Sequence, residues 1–304
     1  MTWTVGSVPD QSGRTVVVTG ANTGLGLEVT SVLVHRGARV VMACRNLAKG
    51  AAARERLLDD RSLDPGSLDL RQLDVASLAS VREFVAGLGG QPIDVLVNNA
   101  GVMATPKAVS VDGHEVQFAT NVLGPFALTM SLLPQLTDRV VWVASNAHRL
   151  GGLELDDPSF RHRRYNAWRA YGATKLADLM LAYEMQRRLT LAGSTLRSYA
   201  AHPGYSLTEL ARHQRFSSIP GLDTVQRTLR IAQPAAAGAW PLLMAATDPS
   251  LPGGSYVGPS GRGEWAGPPT IVASSPASHD RDAQRTLWAL CEGLTGVTSG
   301  LPSS

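Results

Sequence analysis

Short apolar, β-branched runs alternate with stretches of helical periodicity along most of the chain. Thr15–Thr19 (T-V-V-V-T), Arg39–Cys44, Ile93–Val97 and Arg139–Ser145 are each short and apolar on both faces. That pattern predicts strands of a parallel sheet covered on both sides. Leu68, Leu70 and Leu73 alternate with polar neighbours up to Asp74-Val75, as in a further strand, and Leu196–Ala201 and Gly254–Val257 complete a set of about seven, the last at an edge. Between the strands, apolar residues return at helical spacing: Leu27, Val29, Leu33 and Val34, then 46 to 59, a helix from near Ser77, about Asp112 to Leu136, Tyr171 to about Leu191, and Gln233 to Thr247. A Gly- and Pro-rich stretch, Gly258 to Pro276, reads as loop or tail, and an amphipathic helix over about Asp280 to Leu294 follows it. Strand and helix in alternation predict an α/β fold, a doubly wound parallel sheet flanked by helices. With no repeat or linker, one domain spans 1–304.

Composition narrows the class. The 304 residues are 44% hydrophobic and 17% charged with a net charge of +3, ordinary for a globular enzyme and too mild for a nucleic-acid binder. The nearest basic run, Arg161-His162-Arg163-Arg164, is short and has no interleaved aromatics, so it reads as a solvated loop. Met1 to Arg14 lacks the pattern of a signal peptide, and no uninterrupted apolar stretch reaches the roughly 18 residues of a membrane span. Cys44 and Cys291 match no metal spacing; a reduced, cytoplasmic compartment is expected, with a disulfide between the two left open.

Two constellations carry chemistry. The first strand runs into Gly20-Ala21-Asn22-Thr23-Gly24-Leu25-Gly26 and then a helix. Glycines let the backbone approach a pyrophosphate, and a helix N-terminus presents unpaired N–H groups with positive dipole, so this turn predicts dinucleotide binding rather than a plain tight turn. The second is Tyr171-Gly172-Ala173-Thr174-Lys175, which puts a phenol and an ammonium on one helical face at i and i+4. A full cation about 4 Å from the hydroxyl, at an effective dielectric of ~20, contributes roughly 4 kcal/mol, enough to lower the phenol pKa by about three units. Chance spacing is the bland alternative. Against it stands the use of lysine: only Lys49, Lys107 and Lys175 occur in a chain that otherwise prefers arginine.

With Thr19 before it, the turn reads T-G-x-x-x-G-x-G, and together with Y-x-x-x-K it resembles the classical short-chain dehydrogenase/reductase family, a Rossmann-type fold. The resemblance covers about residues 13 to 258. It implies that Tyr171 is the acid/base, that Lys175 tunes it and holds the nicotinamide ribose, that Ser145 orients the substrate oxygen, and that Asn121, in Asn121-Val122-Leu123-Gly124, holds a water in a proton relay. Asn121 also has a bland role, patching a helix distortion beside Gly124 and Pro125. Asn98-Asn99-Ala100-Gly101 matches the segment that lines the cofactor crevice, with Asn98, Ala100 and Gly101 against the cofactor. Asp74 would bond the adenine amino group, or else cap the next helix, and Val75 would cover the ring. Pro203 and Gly204 would cover the nicotinamide and Thr208 would bond the pyrophosphate or carboxamide.

Where an NAD enzyme of this fold places an acid after its second strand, this chain has Cys44 followed by Arg45, which suits a 2′-phosphate and predicts NADP(H). Ser145 precedes Tyr171 by 26 positions. The long polar stretch between them, with Ala147-His148 after the serine, looks like the retinol dehydrogenase and protochlorophyllide reductase branch. His148 and His162 read as solvated loop histidines. Residues 205–232 would be a substrate lid and 259–304 a loop and helix extension. The expected partners are a small carbonyl or alcohol substrate, apolar as the resemblance implies, and further copies of the chain in a homodimer or homotetramer paired through the helices carrying Asn121 and Tyr171. The expected alternative to an enzyme is an NADP(H)-binding redox sensor or scaffold without turnover.

Overall fold

The computed structural model describes residues 2–204 and 234–304. The first strand, β1 (Thr15–Thr19), lies at the centre with Val16, Val17 and Val18 fully buried, because its β-branched side chains meet helices on both faces. Around it run β2 (Arg39–Cys44), β3 (Leu68–Gln72), β4 (Ile93–Asn98), β5 (Leu136–Val143), β6 (Arg197–Ala201), β7 (Tyr256–Pro259) and β8 (Pro269–Ile271) in the order β3-β2-β1-β4-β5-β6-β7-β8. Every pairing is parallel except β7 with β8.

The expected loop or tail 258–276 therefore contains the true edge strand. Gly263 and Gly267 adopt positive φ and fold the chain back, so that Pro259 pairs with Pro269 and Val257 with Ile271. A three-residue strand beginning at proline leaves no periodicity to read, and an edge is where a sheet tolerates proline.

Two apolar layers sandwich the sheet. One holds α1 (Gly24–His35) and α2 (Leu47–Leu58), together with α6 (Trp240–Thr247). The other holds α3 (Leu78–Gly87), α4 (residues 116–132), α5 (Ala167–Leu191) and α7 (Arg281–Thr295). The fourth helix, α4, begins as Val116–Phe118, widens into a π-helical turn at Ala119–Leu123 and continues as Gly124–Leu132. It starts later than the expected Asp112 because Glu115 caps it, its side chain accepting from the Phe118 N–H at 2.8 Å. Asp280 caps α7 and Gly296, left-handed at φ 68°, ends it.

Trp288 of α7 meets Phe126 of α4 edge to face, with ring centroids 5.1 Å apart, and stacks under the Arg188 guanidinium of α5 at 4.6 Å. The C-terminal helix thus covers α4 and α5, the helices through which a pairing of copies was expected. Cys44 and Cys291 are both free and buried, on opposite layers, with no disulfide between them.

Candidate active site

Strand order reverses between β1 and β4, and the carboxyl ends of the strands diverge there to leave a cleft of about 450 Å³. The expected motifs meet in it: the glycine turn lines it through Gly20, Asn22, Thr23, Gly24 and Leu25, together with Arg45, Asp74 and Val75 and with Ala100, Gly101, Tyr171, Lys175 and Pro203.

The glycine turn is built for close approach. Gly20 and Gly24 adopt φ 68° and 56°, open to glycine and strained for other residues. A Cβ on Gly26 would lie 2.4 Å from the Gly20 carbonyl oxygen, so Gly26 serves helix packing and does not itself line the cleft. Thr23, the N-cap of α1, makes no side-chain cap bond, so its hydroxyl does not occupy the first-turn N–H groups of that helix. The Thr19 hydroxyl accepts from the Asn99 and Ala100 N–H groups at 2.9 and 2.8 Å, and Asn99 Nδ2 donates to the Thr19 carbonyl at 2.8 Å. This clasp ties the glycine turn to the Asn-Asn-Ala-Gly segment. Asn99, not Asn98, lines the cleft; Asn98 turns away and donates to Thr129 Oγ1 at 2.8 Å, locking β4 to α4.

At the end of β2, burial pushes the Cys44 thiol up to about 11, while Arg45 is exposed and faces the cleft. Asn46 caps α2 by accepting from the Lys49 N–H at 2.9 Å, and both Asn46 and Lys49 line the cleft beside Arg45. Lys49 escapes notice in the sequence as an ordinary helix lysine; only the turn of α2 brings it round. Asp74 accepts from the Ala76 N–H at 3.0 Å, and it is Ser77 that caps α3, so of its two expected roles Asp74 does not perform the capping one.

Tyr171 and Lys175 lie on α5, both buried, with Nζ 5.8 Å from the centre of the tyrosine ring. Trp168 packs edge-on to that ring at 6.2 Å. Asn121 sits in the π-helical turn of α4, where the extra residue per turn swings its amide outward. Its Oδ1 accepts from the Val102 N–H at 2.8 Å, and its Nδ2 donates to the Val102 carbonyl and to Thr174 Oγ1, both at 2.9 Å. The amide therefore bridges the segment after β4 to the helix of Tyr171, and the expected helix distortion is real.

Ser145 follows β5, 8% exposed and just outside the cleft lining; its hydroxyl accepts from the Ala147 N–H at 3.2 Å. Gly204, at φ 70°, packs under the Trp265 carbonyl, where a Cβ would come within 2.4 Å. Thr208 and the expected lid, 205–232, lie outside the described residues.

One loop reading is corrected. His148 is buried, 1% exposed, not solvated: it bonds the Ser145 carbonyl through Nδ1 at 2.7 Å and accepts at Nε2 from the Ser275 N–H at 3.1 Å. A short 3-10 turn, Asn146–Arg149, carries it inward against the Tyr256 ring. Burial depresses its pKa to about 4, so it stays neutral. His162 is exposed as expected.

The short chain dehydrogenase family profile matches residues 14–217. Retinol dehydrogenase 13 of Homo sapiens is 34% identical over 97% of this chain and 89% of its own length. Polyprenol dehydrogenase of Mus musculus is 36% identical over 96% of this chain and 87% of its own length. A crystal structure of an uncharacterized protein from Mycobacterium Paratuberculosis superposes with a TM-score of 0.83 at 44% identity, covering 99% of this chain and 100% of that one.

The expected cytoplasmic placement does not stand beside these relatives, because retinol and polyprenol dehydrogenases are membrane-associated enzymes. Among the described residues one helical stretch, Val116–Gln135, is long and apolar enough to cross a bilayer, and 83% of its apolar window is buried inside the protein. A glycine turn, a Tyr-Lys pair on α5 and full-length kinship with dehydrogenases agree: the chain belongs to the short chain dehydrogenase family, in its retinol dehydrogenase-like branch.

Proposed function

We propose that this protein transfers a hydride between NADP(H) and the carbonyl or alcohol carbon of an apolar aldehyde, ketone or alcohol, with Tyr171 as acid and base. The observation that carries this reading is the convergence of the glycine turn, Arg45 and the Tyr171–Lys175 pair on one cleft at the reversal of strand order. The cradle fits a dinucleotide: Gly20 and Gly24 line the cleft with no side chain in the way, and the cap of α1 leaves its N–H groups to an anion. When bound, the nicotinamide supplies or accepts the hydride.

The chain's own residues do the rest. The turn from Gly20 to Leu25 holds the pyrophosphate, and Asp74 and Val75 hold the adenine. Arg45, with Lys49 beside it, holds the 2′-phosphate; two cations line the cleft there, and the residue before Arg45 is a buried thiol, not an acid. Ser145 orients the substrate oxygen. Tyr171 gives that oxygen its phenolic proton in reduction and takes it back in oxidation. Lys175 steadies the phenol and the nicotinamide ribose, and Asn121 holds the Lys175 side of the cleft in register through Val102 and Thr174.

The names of the relatives, retinol and polyprenol dehydrogenase, support an apolar alcohol or its carbonyl partner as substrate. Trp168, half exposed beside Tyr171, gives an apolar chain a surface to lie on. The test is loss of NADPH absorbance, and separately of NADH absorbance, on adding aliphatic, aromatic and isoprenoid aldehydes, ketones and quinones. The reading expects turnover that favours NADPH and disappears in Tyr171→Phe. Tight NADPH binding with no turnover on the whole panel would favour a redox sensor instead, and turnover preserved in Tyr171→Phe would remove the tyrosine from the chemistry.

A further inference from the structure

Lys175 does not present a lone charge to the cleft. Its ammonium donates to the Val143 carbonyl at 2.7 Å and to Asp178 Oδ2 at 2.8 Å, with the two side chains only 8% and 4% exposed. Tyr171, Lys175 and Asp178 stand at i, i+4 and i+7, so phenol, ammonium and carboxylate form one stripe down the inner face of α5. Among the described residues, Lys175 is the only side chain that donates to Asp178. Cys291 of α7 is the other titratable group facing the carboxylate, and burial keeps its thiol protonated. Tyr256 of β7 faces Tyr171 and is itself held protonated by burial. Among the described residues no second cation offsets the carboxylate, and no second anion shares the lysine.

We propose that Asp178 is a positioning residue of the reaction: it fixes the Lys175 ammonium and, as a buried counter-charge, weakens the field that this ammonium exerts on the Tyr171 hydroxyl. The inference rests on the reading of Tyr171 and Lys175 given above. An isolated ammonium close to a phenol lowers its pKa by up to about three units, whereas a 2.8 Å ion pair acts as a dipole whose two ends largely cancel. Tyr171 therefore keeps its proton to a higher pH than it would beside an unpaired lysine. Carbonyl reduction needs that proton, so the carboxylate widens the pH range over which the site holds its acid. Burial also raises Asp178 to about 6, which couples the two groups: as the carboxyl takes a proton on acidification, the ammonium regains its full effect on the phenol.

The test is Asp178→Asn, which removes the charge and keeps an oxygen for Lys175. Tyrosinate formation is followed by ultraviolet difference absorbance, with Tyr171→Phe subtracted to isolate one phenol among six tyrosines. The proposal expects the Tyr171 titration to move down by on the order of one pH unit. The high-pH limb of kcat/KM for carbonyl reduction should move with it, while NADPH affinity, read by nicotinamide fluorescence, changes by less than about threefold. A titration and a pH profile that coincide with wild type would overturn it, leaving Asp178 a structural partner. Should Asp178→Asn fail to fold, Asp178→Ser removes the charge while retaining an acceptor hydroxyl, and the same outcomes apply. An unmoved titration with an inactive Tyr171→Phe sinks this inference alone; an active Tyr171→Phe sinks it together with the function on which it rests.

Discussion

Arg45 shows how far one side chain can be read and where the reading stops. Its place after Cys44 predicts contact with a 2′-phosphate, but the second cation, Lys49, became visible only when α2 turned it toward the cleft. Replacing Arg45 with Ala removes one of the two cations, and a charge-assisted bond to phosphate contributes about 1.5–3 kcal/mol, or roughly 10- to 150-fold. The KM for NADPH should rise by that factor while the KM for NADH barely moves; equal rises for both would take Arg45 off the 2′-phosphate. Asp178 was silent in the sequence for a related reason: a single acid within a long helix looks like any solvated helix position until packing by α7 buries it.

His148 misled for the opposite reason, since its neighbours are polar while its own ring is buried. Its burial has a consequence with a definite sign. With a folded pKa near 4 against 6.5 in the unfolded chain, the unfolded state binds more protons between those values. The stabilisation is complete above pH 6.5 and is lost as the pH falls toward 4, by about 3 kcal/mol at most, since each unit is about 1.4 kcal/mol. Asp178, raised to about 6 from 3.8, works in the other direction, gaining stability as pH falls through 6. A comparison isolates the histidine: denaturant unfolding of wild type and His148→Gln should show a gap that narrows as pH drops from 6.5 to 4. A constant gap would mean that His148 does not change its charge state on unfolding.

Among the elements, α4 was read as one long helix with a distortion at Gly124 and Pro125, and the structure explains the distortion as a π-helical turn. The turn matters because it lets the Asn121 amide engage both backbone groups of Val102 while also reaching Thr174. Asn121→Ala leaves the Val102 N–H and C=O without their partner, and a fully buried group so orphaned costs about 1–3 kcal/mol, which for the half-buried Val102 is an upper bound. Thermal unfolding should begin several degrees lower and activity fall further than stability alone explains; a variant with wild-type Tm would show that the clamp is replaced by solvent. The β7–β8 hairpin was not legible. Its second strand has three residues, and its register comes from the glycine turn between the strands rather than from any alternation of apolar and polar side chains.

At the scale of the whole molecule, the doubly wound sheet, the cleft at its reversal point and most of the residues lining it follow from strand runs, a glycine turn and a Tyr-Lys pair that all carry local signals. The long-range contacts do not. The sequence marks Asp280 to Leu294 as an amphipathic helix but does not show which surface its apolar face meets, and it meets α4 and α5. Glu184 of α5, fully buried, draws together Arg187, Arg188 and Ser304, tying the C-terminal segment to the same helix that carries Tyr171 and Lys175. The C-terminal segment is thus part of the scaffold that holds the site.

In the proposed reaction Tyr171 transfers the proton while hydride passes between NADP(H) and a carbonyl carbon in this cleft. A single-turnover reaction with NADPH deuterated at nicotinamide C4, its product analysed by mass spectrometry, tests both halves together. Wild-type protein should carry the label to the former carbonyl carbon, and Tyr171→Phe should do so at least about a hundredfold more slowly, within the range by which a positioned acid accelerates such a step. Label transfer at equal rates in the two proteins would remove Tyr171 from the reaction.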